Sequence, residues 1–141
     1  MDEITLKVAY SIMPDFGMAP WAWVKDAKDE TTYIGPNMAD GYGWYGNHAI
    51  SKDLEQEFIL WARSFDETRL YDADVANLFD WDAFHRLGLE LTKRLKVELG
   101  EAARVYYIKP YEDPNHEIEE AVEILLGGAL KQINQLPRNS K

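Results

Sequence analysis

The sequence predicts an α+β fold, in which three main helices pack on a small mixed β-sheet of three to four strands. Short segments rich in β-branched and aromatic residues begin the chain, and longer segments with apolar residues at helical spacing follow them. One further strand-like segment lies between two of the predicted helices. With 141 residues and a hydrophobic fraction of 46%, residues 1–141 are expected to fold as a single domain without a disulfide or a metal.

The predicted strands are short and bounded by turn-forming residues. Apolar residues alternate over residues 4–12, which predicts the first strand. Residues 21–24 and 31–34 are also β-prone, and the polar segment between them favours a hairpin. A further strand is predicted over residues 104–109, where a proline follows directly.

Capping residues mark the first two main helices. Ser51 is a suitable N-cap for a helix over residues 52–64, in which apolar residues recur at intervals of three and four. A short helix is expected at residues 75–78. Asp80 is a suitable N-cap for the second main helix, and Gly100 is expected to end it. The apolar stripe of this second helix is predicted to comprise Phe84, Leu87, Gly88, Leu91, Leu95 and Leu99.

The third main helix is predicted to begin at the Asp113-Pro114-Asn115 sequence and to continue to about Leu136. Its apolar stripe would comprise Ile118, Val122, Leu125, Ala129, Ile133 and Leu136, with Glu123 on or near the solvent side. Gly127 and Gly128 lie inside this helix and would cost about 1 kcal/mol each relative to alanine. The helix is therefore expected either to break at the two glycines or to pack closely against another backbone there.

Residues 35–48 are rich in glycine, and no regular structure is predicted for them. Gly41, Gly43 and Gly46 have the Gly-x-Gly-x-x-Gly spacing of a dinucleotide-binding loop. That motif requires a strand directly before it, a helix directly after it and small residues between the glycines. The residues between these glycines are large, and the next helix starts late, so dinucleotide binding is not predicted.

Three large aromatic residues, Tyr42, Trp44 and Tyr45, lie between these glycines. Aromatic side chains bury a large area at interfaces for a small loss of conformational entropy. The alternative is that one or two of the rings fold back onto the core. Both interpretations remain open, and the three residues are candidate partner contacts.

The formal net charge of −10 is concentrated in two segments. Residues 53–82 contain nine acids and two bases, and residues 109–125 contain six acids and one base. A field of one sign attracts a partner of opposite sign and repels nucleic acid and anionic membranes. We therefore expect a basic protein partner, with no direct binding to nucleic acid or to a membrane. Together with the three aromatic residues, the predicted contact residues are Asp66, Glu67, Tyr71, Asp72 and Asp74.

The sequence contains no pattern that specifies catalysis or metal binding, so no catalytic, cofactor-binding or metal-binding residue is predicted. Cysteine is absent. The three histidines lie far apart in sequence and are expected at surface or capping positions: His48, His85 and His116. Carboxylate pairs such as Asp80 and Asp82 leave a small carboxylate-dependent hydrolase as an alternative. Such pairs are also typical of helix N-termini and solvated loops.

The acidic segments 53–82 and 112–123, together with the aromatic residues within 41–46, resemble the small acidic cytosolic immunity proteins of bacterial toxin–immunity systems. This resemblance implies binding to a secreted toxin domain, often a basic nuclease, and inhibition of its active site. It carries no residue-specific roles. The acidic Met1-Asp2-Glu3 start favours a cytoplasmic protein over a secreted one. A homo-oligomer, for example a homodimeric accessory protein of a phage or mobile element, is a further alternative.

Overall fold

Within the part of the chain that the structure describes, seven strands form one mixed β-sheet. The computed structural model describes residues 8–26, 36–46, 48–70, 72–110, 112–114 and 121–133. In chain order the strands are β1 (Val8–Ile12), β2 (Ala22–Asp26), β3 (Asn37–Asp40), β4 (Gly43–Trp44), β5 (Ala103–Ile108), β6 (Ala121–Ile124) and β7 (Leu130–Ile133). Their order across the sheet is β4-β3-β2-β1-β5-β6-β7. The pair β1–β5 is parallel, and the other neighbouring pairs are antiparallel.

Three helices, α1 (Lys52–Asp66), α2 (Ala73–Leu78) and α3 (Trp81–Leu99), connect β4 to β5. The predicted caps are confirmed. The Ser51 hydroxyl accepts a hydrogen bond from the Leu54 N–H (3.2 Å), and the Asp80 carboxylate accepts one from the Ala83 N–H (3.1 Å). Gly100 follows α3 with a φ of +61°. Among the described residues, no helix is long and apolar enough to span a membrane.

An aromatic layer joins the helices to the sheet. Trp21, directly before β2, stacks on Phe58 of α1, with ring centroids 4.4 Å apart. Trp61, also on α1, stacks on Phe84 of α3, with ring centroids 4.7 Å apart. Burial of these rings supplies much of the apolar contact that holds α1 and α3 to one another and to the sheet. The predicted apolar stripe of α3 is correct except at Leu87, which is 46% exposed.

The sheet is larger than the three to four strands predicted, partly because the glycine-rich segment is not irregular. Residues 37–44 form the β3–β4 hairpin, in which Ala39 pairs with Trp44 and Asp40 pairs with Gly43. Gly43 has a φ of +146°, and a Cβ there would lie 2.7 Å from the Glu55 carboxylate. The glycine therefore permits a tight hairpin and a close approach to α1. The predicted strand at residues 31–34 lies outside the described residues.

The prediction of a third main helix after Asp113 is wrong over residues 121–133. This segment forms the antiparallel β6–β7 pair at one edge of the sheet. Gly127 and Gly128 have φ values of +85° and +89° in the turn between the strands. The turn is closed by a hydrogen bond from the Leu125 N–H to the Ala129 carbonyl (2.8 Å). The two glycines that would weaken a helix thus permit the reversal of the chain.

Candidate functional site

Three segments distant in sequence meet beside the β3–β4 hairpin. The Gly41 N–H donates a hydrogen bond to the Met18 carbonyl (2.7 Å), and the Arg63 guanidinium donates one to the Gly41 carbonyl (2.9 Å). The Gly17 N–H donates to the Asp66 carboxylate (2.9 Å). The structure therefore brings together the hairpin, the bend at residues 16–18 and the C-terminal end of α1.

Tyr42 and Tyr45 are the exposed rings of this region, with 74% and 54% of their surface accessible. One carboxylate oxygen of Asp40 accepts hydrogen bonds from the Tyr45 hydroxyl (2.9 Å) and the Tyr42 N–H (2.8 Å). The hydrogen bond to Asp40 raises the pKa of the Tyr45 phenol. Met18, whose carbonyl accepts the hydrogen bond from Gly41, is 57% exposed. We call this region the hairpin face; it comprises Gly17, Met18, Asp40, Tyr42, Tyr45, Asp66 and Glu67.

Trp44 has a different environment from the two tyrosines. It is half-buried, and its ring packs against Tyr10 (centroids 4.9 Å apart) and Trp21 (5.8 Å). Its indole N–H donates to the His48 carbonyl (2.7 Å), and its backbone N–H donates to the Glu55 carboxylate (2.9 Å). Of the two interpretations left open for the aromatic loop, core packing applies to Trp44 and exposure to the tyrosines.

The nine acids of residues 53–82 do not form one surface, because α1 separates them. Asp53 and Asp66 lie near opposite ends of this 15-residue helix, about 20 Å apart along its axis. Glu57 forms an ion pair with Arg94 on α3 (2.8 Å). Glu67, the C-cap of α1, follows Asp66 directly and is exposed, and we include it in the hairpin face.

Asp72 and Asp74 lie beyond the turn that follows α1 and are both exposed. The Asp72 carboxylate accepts a hydrogen bond from the Asp74 N–H (2.9 Å) and caps α2. The Asp72 N–H donates to the Arg69 carbonyl (3.0 Å), which ties α2 to that turn. Tyr71 lies outside the described residues. Four of the predicted contact acids therefore lie between the end of α1 and the first turn of α2: Asp66, Glu67, Asp72 and Asp74.

Two acids of the second acidic segment, Asp113 and Glu123, are buried and do not add to an exposed negative surface. Glu123, predicted near the solvent side of a helix, is only 6% exposed and lies in β6. Both of its carboxylate oxygens accept hydrogen bonds from the Arg104 guanidinium, at 2.9 and 3.0 Å. A buried carboxylate requires such a partner, and the strand pairing supplies it. Asp113 is buried as well, at 1% exposure.

Asp113 belongs to a buried polar array that the sequence does not reveal. Its carboxylate lies 2.7 Å from Nε2 of His85, and Nδ1 of His85 lies 2.6 Å from the Tyr107 hydroxyl. Burial, and then the charge of Asp113, hold the pKa of the Tyr107 phenol well above its ordinary value. The prediction of a surface or capping role is therefore wrong for His85. Its two ring nitrogens both have partners, as a structural histidine in a core requires.

A cleft of about 280 Å³ lies beside this array, between the α2–α3 junction and the segment that contains Asp113. It is lined by Asn77, Phe79, Asp80, Trp81, Asp82 and Pro114. Its acids are exposed, and Asp80, one member of the carboxylate pair in the hydrolase alternative, is the N-cap of α3. Within the described parts of the chain, no group of three His, Cys, Asp or Glu residues could hold a metal ion.

The family model described as "Serratia CdiI immunity protein-like" matches residues 9–110, well over half of the chain. The chain belongs to this family. The resemblance to immunity proteins predicted from the acidic and aromatic segments is thereby confirmed. The matched segment contains the whole hairpin face and ends before Asp113 and the β6–β7 hairpin. No curated protein and no solved structure matches the chain significantly.

Membership in this family supports an immunity or inhibitor role with a protein partner, because immunity proteins bind a cognate toxin. Immunity proteins are generally not enzymes, which agrees with the capping role of Asp80. Sequence reasoning missed Met18 and Asp40. The Gly17 and Pro20 that flank Met18 and Ala19 indicate a bend, but nothing in the sequence shows that this bend lies against the hairpin.

Proposed function

We propose that this immunity protein neutralises a basic toxin domain by docking the hairpin face over the active site of the toxin. The observation that carries the proposal is the placement of two exposed tyrosines, Tyr42 and Tyr45, on one face with Asp40, Asp66 and Glu67. Exposed aromatic rings beside carboxylates match the composition of a hot spot for a cationic partner.

The charge of this end of the molecule supports a basic partner. In the segments that form or directly adjoin the hairpin face, six acids outnumber two bases: Asp15, Asp40, Asp66, Glu67, Asp72 and Asp74 against Arg63 and Arg69. The Arg63 guanidinium donates to the neutral Gly41 carbonyl and keeps its positive charge, but the acids still outnumber the bases. The local field is therefore negative and attracts a cationic surface over a distance of about one Debye length, roughly 8 Å at physiological ionic strength.

Binding would proceed in two stages that different residues control. The acids orient the incoming basic surface, which speeds association and makes it dependent on salt. Tyr42 and Tyr45 then lose water against the toxin, which slows dissociation. Trp44 would hold the hairpin in place through its packing on Tyr10. Asp72 and Asp74 would add negative charge that attracts a further part of the basic toxin surface. Tyr71, also predicted as a contact, lies between these two groups in sequence.

For a toxin that is a nuclease, Asp66, Glu67, Asp72 and Asp74 would occupy the positions of substrate phosphates. A nuclease active site recognises phosphate oxygens with lysine and arginine side chains, and carboxylates satisfy the same side chains. Inhibition would therefore be competitive with nucleic acid. The protein itself would not bind nucleic acid, because both carry negative charge.

The test is a growth assay with the toxin domain encoded beside the gene for this chain. Expression of the toxin alone in a laboratory bacterium should stop growth, and co-expression of the wild-type chain should restore it. The variant Tyr42→Ala/Tyr45→Ala should protect less well. Val97→Ala should protect fully, because Val97 is as exposed as Tyr42 (74%) but lies on α3. Failure of the wild-type chain to protect would overturn the proposed function.

A further inference from the structure

The bend at residues 16–19 has a backbone conformation that L-amino acids seldom adopt. Gly17, Met18 and Ala19 have consecutive φ values of +87°, +65° and +52°. Only the first of the three is glycine, so the other two occupy the left-handed region at a steric cost. The surrounding structure must hold the bend in place.

Contacts on both sides of Met18 hold the bend. Phe16 stacks on Phe65 of α1, with ring centroids 4.6 Å apart. The Gly17 N–H donates to Asp66, and the Met18 carbonyl accepts from Gly41. Ala19 is 2% exposed. The backbone of the bend is therefore fastened to α1, to the hairpin and to the core.

The side chain of Met18 is not part of this packing, since 57% of its surface is exposed. A strained backbone that buried its side chain would gain stability from that burial, and here the side chain gains little. The bend instead exposes a flexible apolar side chain, and the backbone carbonyl of the same residue is hydrogen-bonded to Gly41, the residue before Tyr42. Methionine adapts its shape to a partner and packs well against aliphatic and aromatic groups.

Two acids on the segments that hold the bend, Asp40 and Asp66, indicate which partner fits. The Asp66 carboxylate accepts a hydrogen bond from Gly17, the residue before Met18. Asp40 is the residue before Gly41, whose N–H donates to the Met18 carbonyl. An exposed apolar side chain whose backbone is held by segments carrying two carboxylates suits a lysine or arginine side chain of the partner. The aliphatic stem of such a side chain packs on apolar atoms while its charged end reaches a carboxylate.

We propose that Met18 is the apolar anchor of the toxin interface, and that it receives a toxin segment whose lysine or arginine reaches Asp40 and Asp66. This inference rests on the proposed function and deepens it, because it names the residue that anchors the complex and the chemistry of the segment that it receives. The strained bend is the device that holds this anchor in position before the toxin arrives, so less ordering is needed on binding.

Two matched pairs of variants test the anchor. The probe is the purified toxin domain against which the chain protects, and the readout is the Kd at physiological salt. Met18→Ala should raise the Kd about tenfold or more. Its control is Leu126→Ala, because Leu126 is 48% exposed and lies in the turn before β7, at the opposite edge of the sheet.

The second pair tests the geometry of the bend. Gly17 and Gly127 have almost equal φ values, +87° and +85°, and a Cβ at either position would meet no atom within 4 Å. Gly17→Ala and Gly127→Ala should therefore lower the melting temperature to a similar extent. Only Gly17→Ala should also raise the Kd for the toxin. Circular dichroism spectra of both variants, recorded under the binding conditions, establish that each variant is folded when its Kd is measured.

The charge of the toxin segment is tested with Asp40→Asn and Asp66→Asn, which retain a hydrogen-bond acceptor and remove only the charge. Each should raise the Kd several-fold, whereas Asp53→Asn at the far end of α1 should not. If the wild-type chain binds the toxin and both Met18→Ala and Gly17→Ala bind it equally well, the anchor inference is overturned while the proposed function stands. If the wild-type chain does not bind, the proposed function fails first.

Discussion

Gly17 and Asp66 are 49 positions apart in sequence, and the N–H of Gly17 donates to the Asp66 carboxylate at 2.9 Å. This hydrogen bond connects the bend after β1 to the last residue of α1. It gives Asp66 two roles, since the same carboxylate organises the bend and contributes negative charge to the hairpin face. Much of the proposed interface therefore depends on contacts between segments that are distant in sequence.

Association with the toxin should depend on Glu67, which is exposed beside this contact. Glu67→Lys should lower the association rate constant several-fold at low salt and leave the dissociation rate constant nearly unchanged. The matched control is Asp53→Lys, about 20 Å away along α1, where screening at physiological salt should make the effect small. Stopped-flow measurements at several salt concentrations provide the comparison. Equal effects of the two substitutions would exclude steering by this end of the molecule.

Gly88 allows α3 to pack closely against both α1 and β5. A Cβ at this position would lie 2.6 Å from Cζ2 of Trp61 and 2.7 Å from Cε1 of Tyr107. Gly88→Ala should lower the free energy of unfolding by about 1–3 kcal/mol, because the rings must move to admit a methyl group. Leu87→Ala, at the exposed neighbouring position, should cost less. Urea denaturation of both variants is the measurement, and a neutral Gly88→Ala would contradict the packing described here.

The bounds of helices α1 and α3 could be predicted well from the sequence, because a helix cap depends on only a few neighbouring residues. Ser51, Asp80 and Gly100 each satisfy or end the nearest turn of a helix, so their effect is visible without knowledge of the fold. The family class was also predictable, from the acidic and aromatic segments. These features share a property: each depends on composition or on spacing within one segment.

The errors arose where tertiary contacts decide the structure. Apolar residues at helical spacing predict a helix to about Leu136, with either a break or close packing at Gly127 and Gly128. The structure instead has a turn at these glycines, whose φ values are positive, and strands that pair with β5 and with each other on its two sides. The same helix prediction puts Glu123 near solvent, and no local pattern shows that Arg104, on a different strand, pairs with it. The position of Met18 likewise depends on the Gly41 contact, which no local pattern predicts.

The His85–Asp113 contact should stabilise the fold without taking part in toxin binding. Asp113→Ala would leave Nε2 of the buried His85 without its carboxylate partner and should lower the free energy of unfolding by about 1–3 kcal/mol. The Kd for the toxin should remain close to that of the wild type, measured below the melting temperature of the variant. A large loss of affinity with unchanged stability would instead place this array in the binding mechanism.

Stability should fall at alkaline pH because of Tyr107. Its pKa is raised well above the ordinary value in the folded state, so the folded protein holds the phenol proton more tightly than the unfolded chain does. The resulting stabilisation is fully present below pH ~10 and is lost as the pH rises through the folded pKa. Denaturation curves from pH 8 upwards should show a shallower alkaline decline for Tyr107→Phe than for the wild type. Parallel declines would mean that other groups control alkaline stability.

Hydrogen–deuterium exchange of the protein with and without its toxin tests the docking surface most directly. We predict that the toxin slows exchange at the backbone amides of residues 16–18, of the β3–β4 hairpin and of the last turn of α1, with little change in β6 and β7. Slower exchange at the β6–β7 edge, with an unchanged β3–β4 hairpin, would contradict the assignment of toxin binding to the hairpin face.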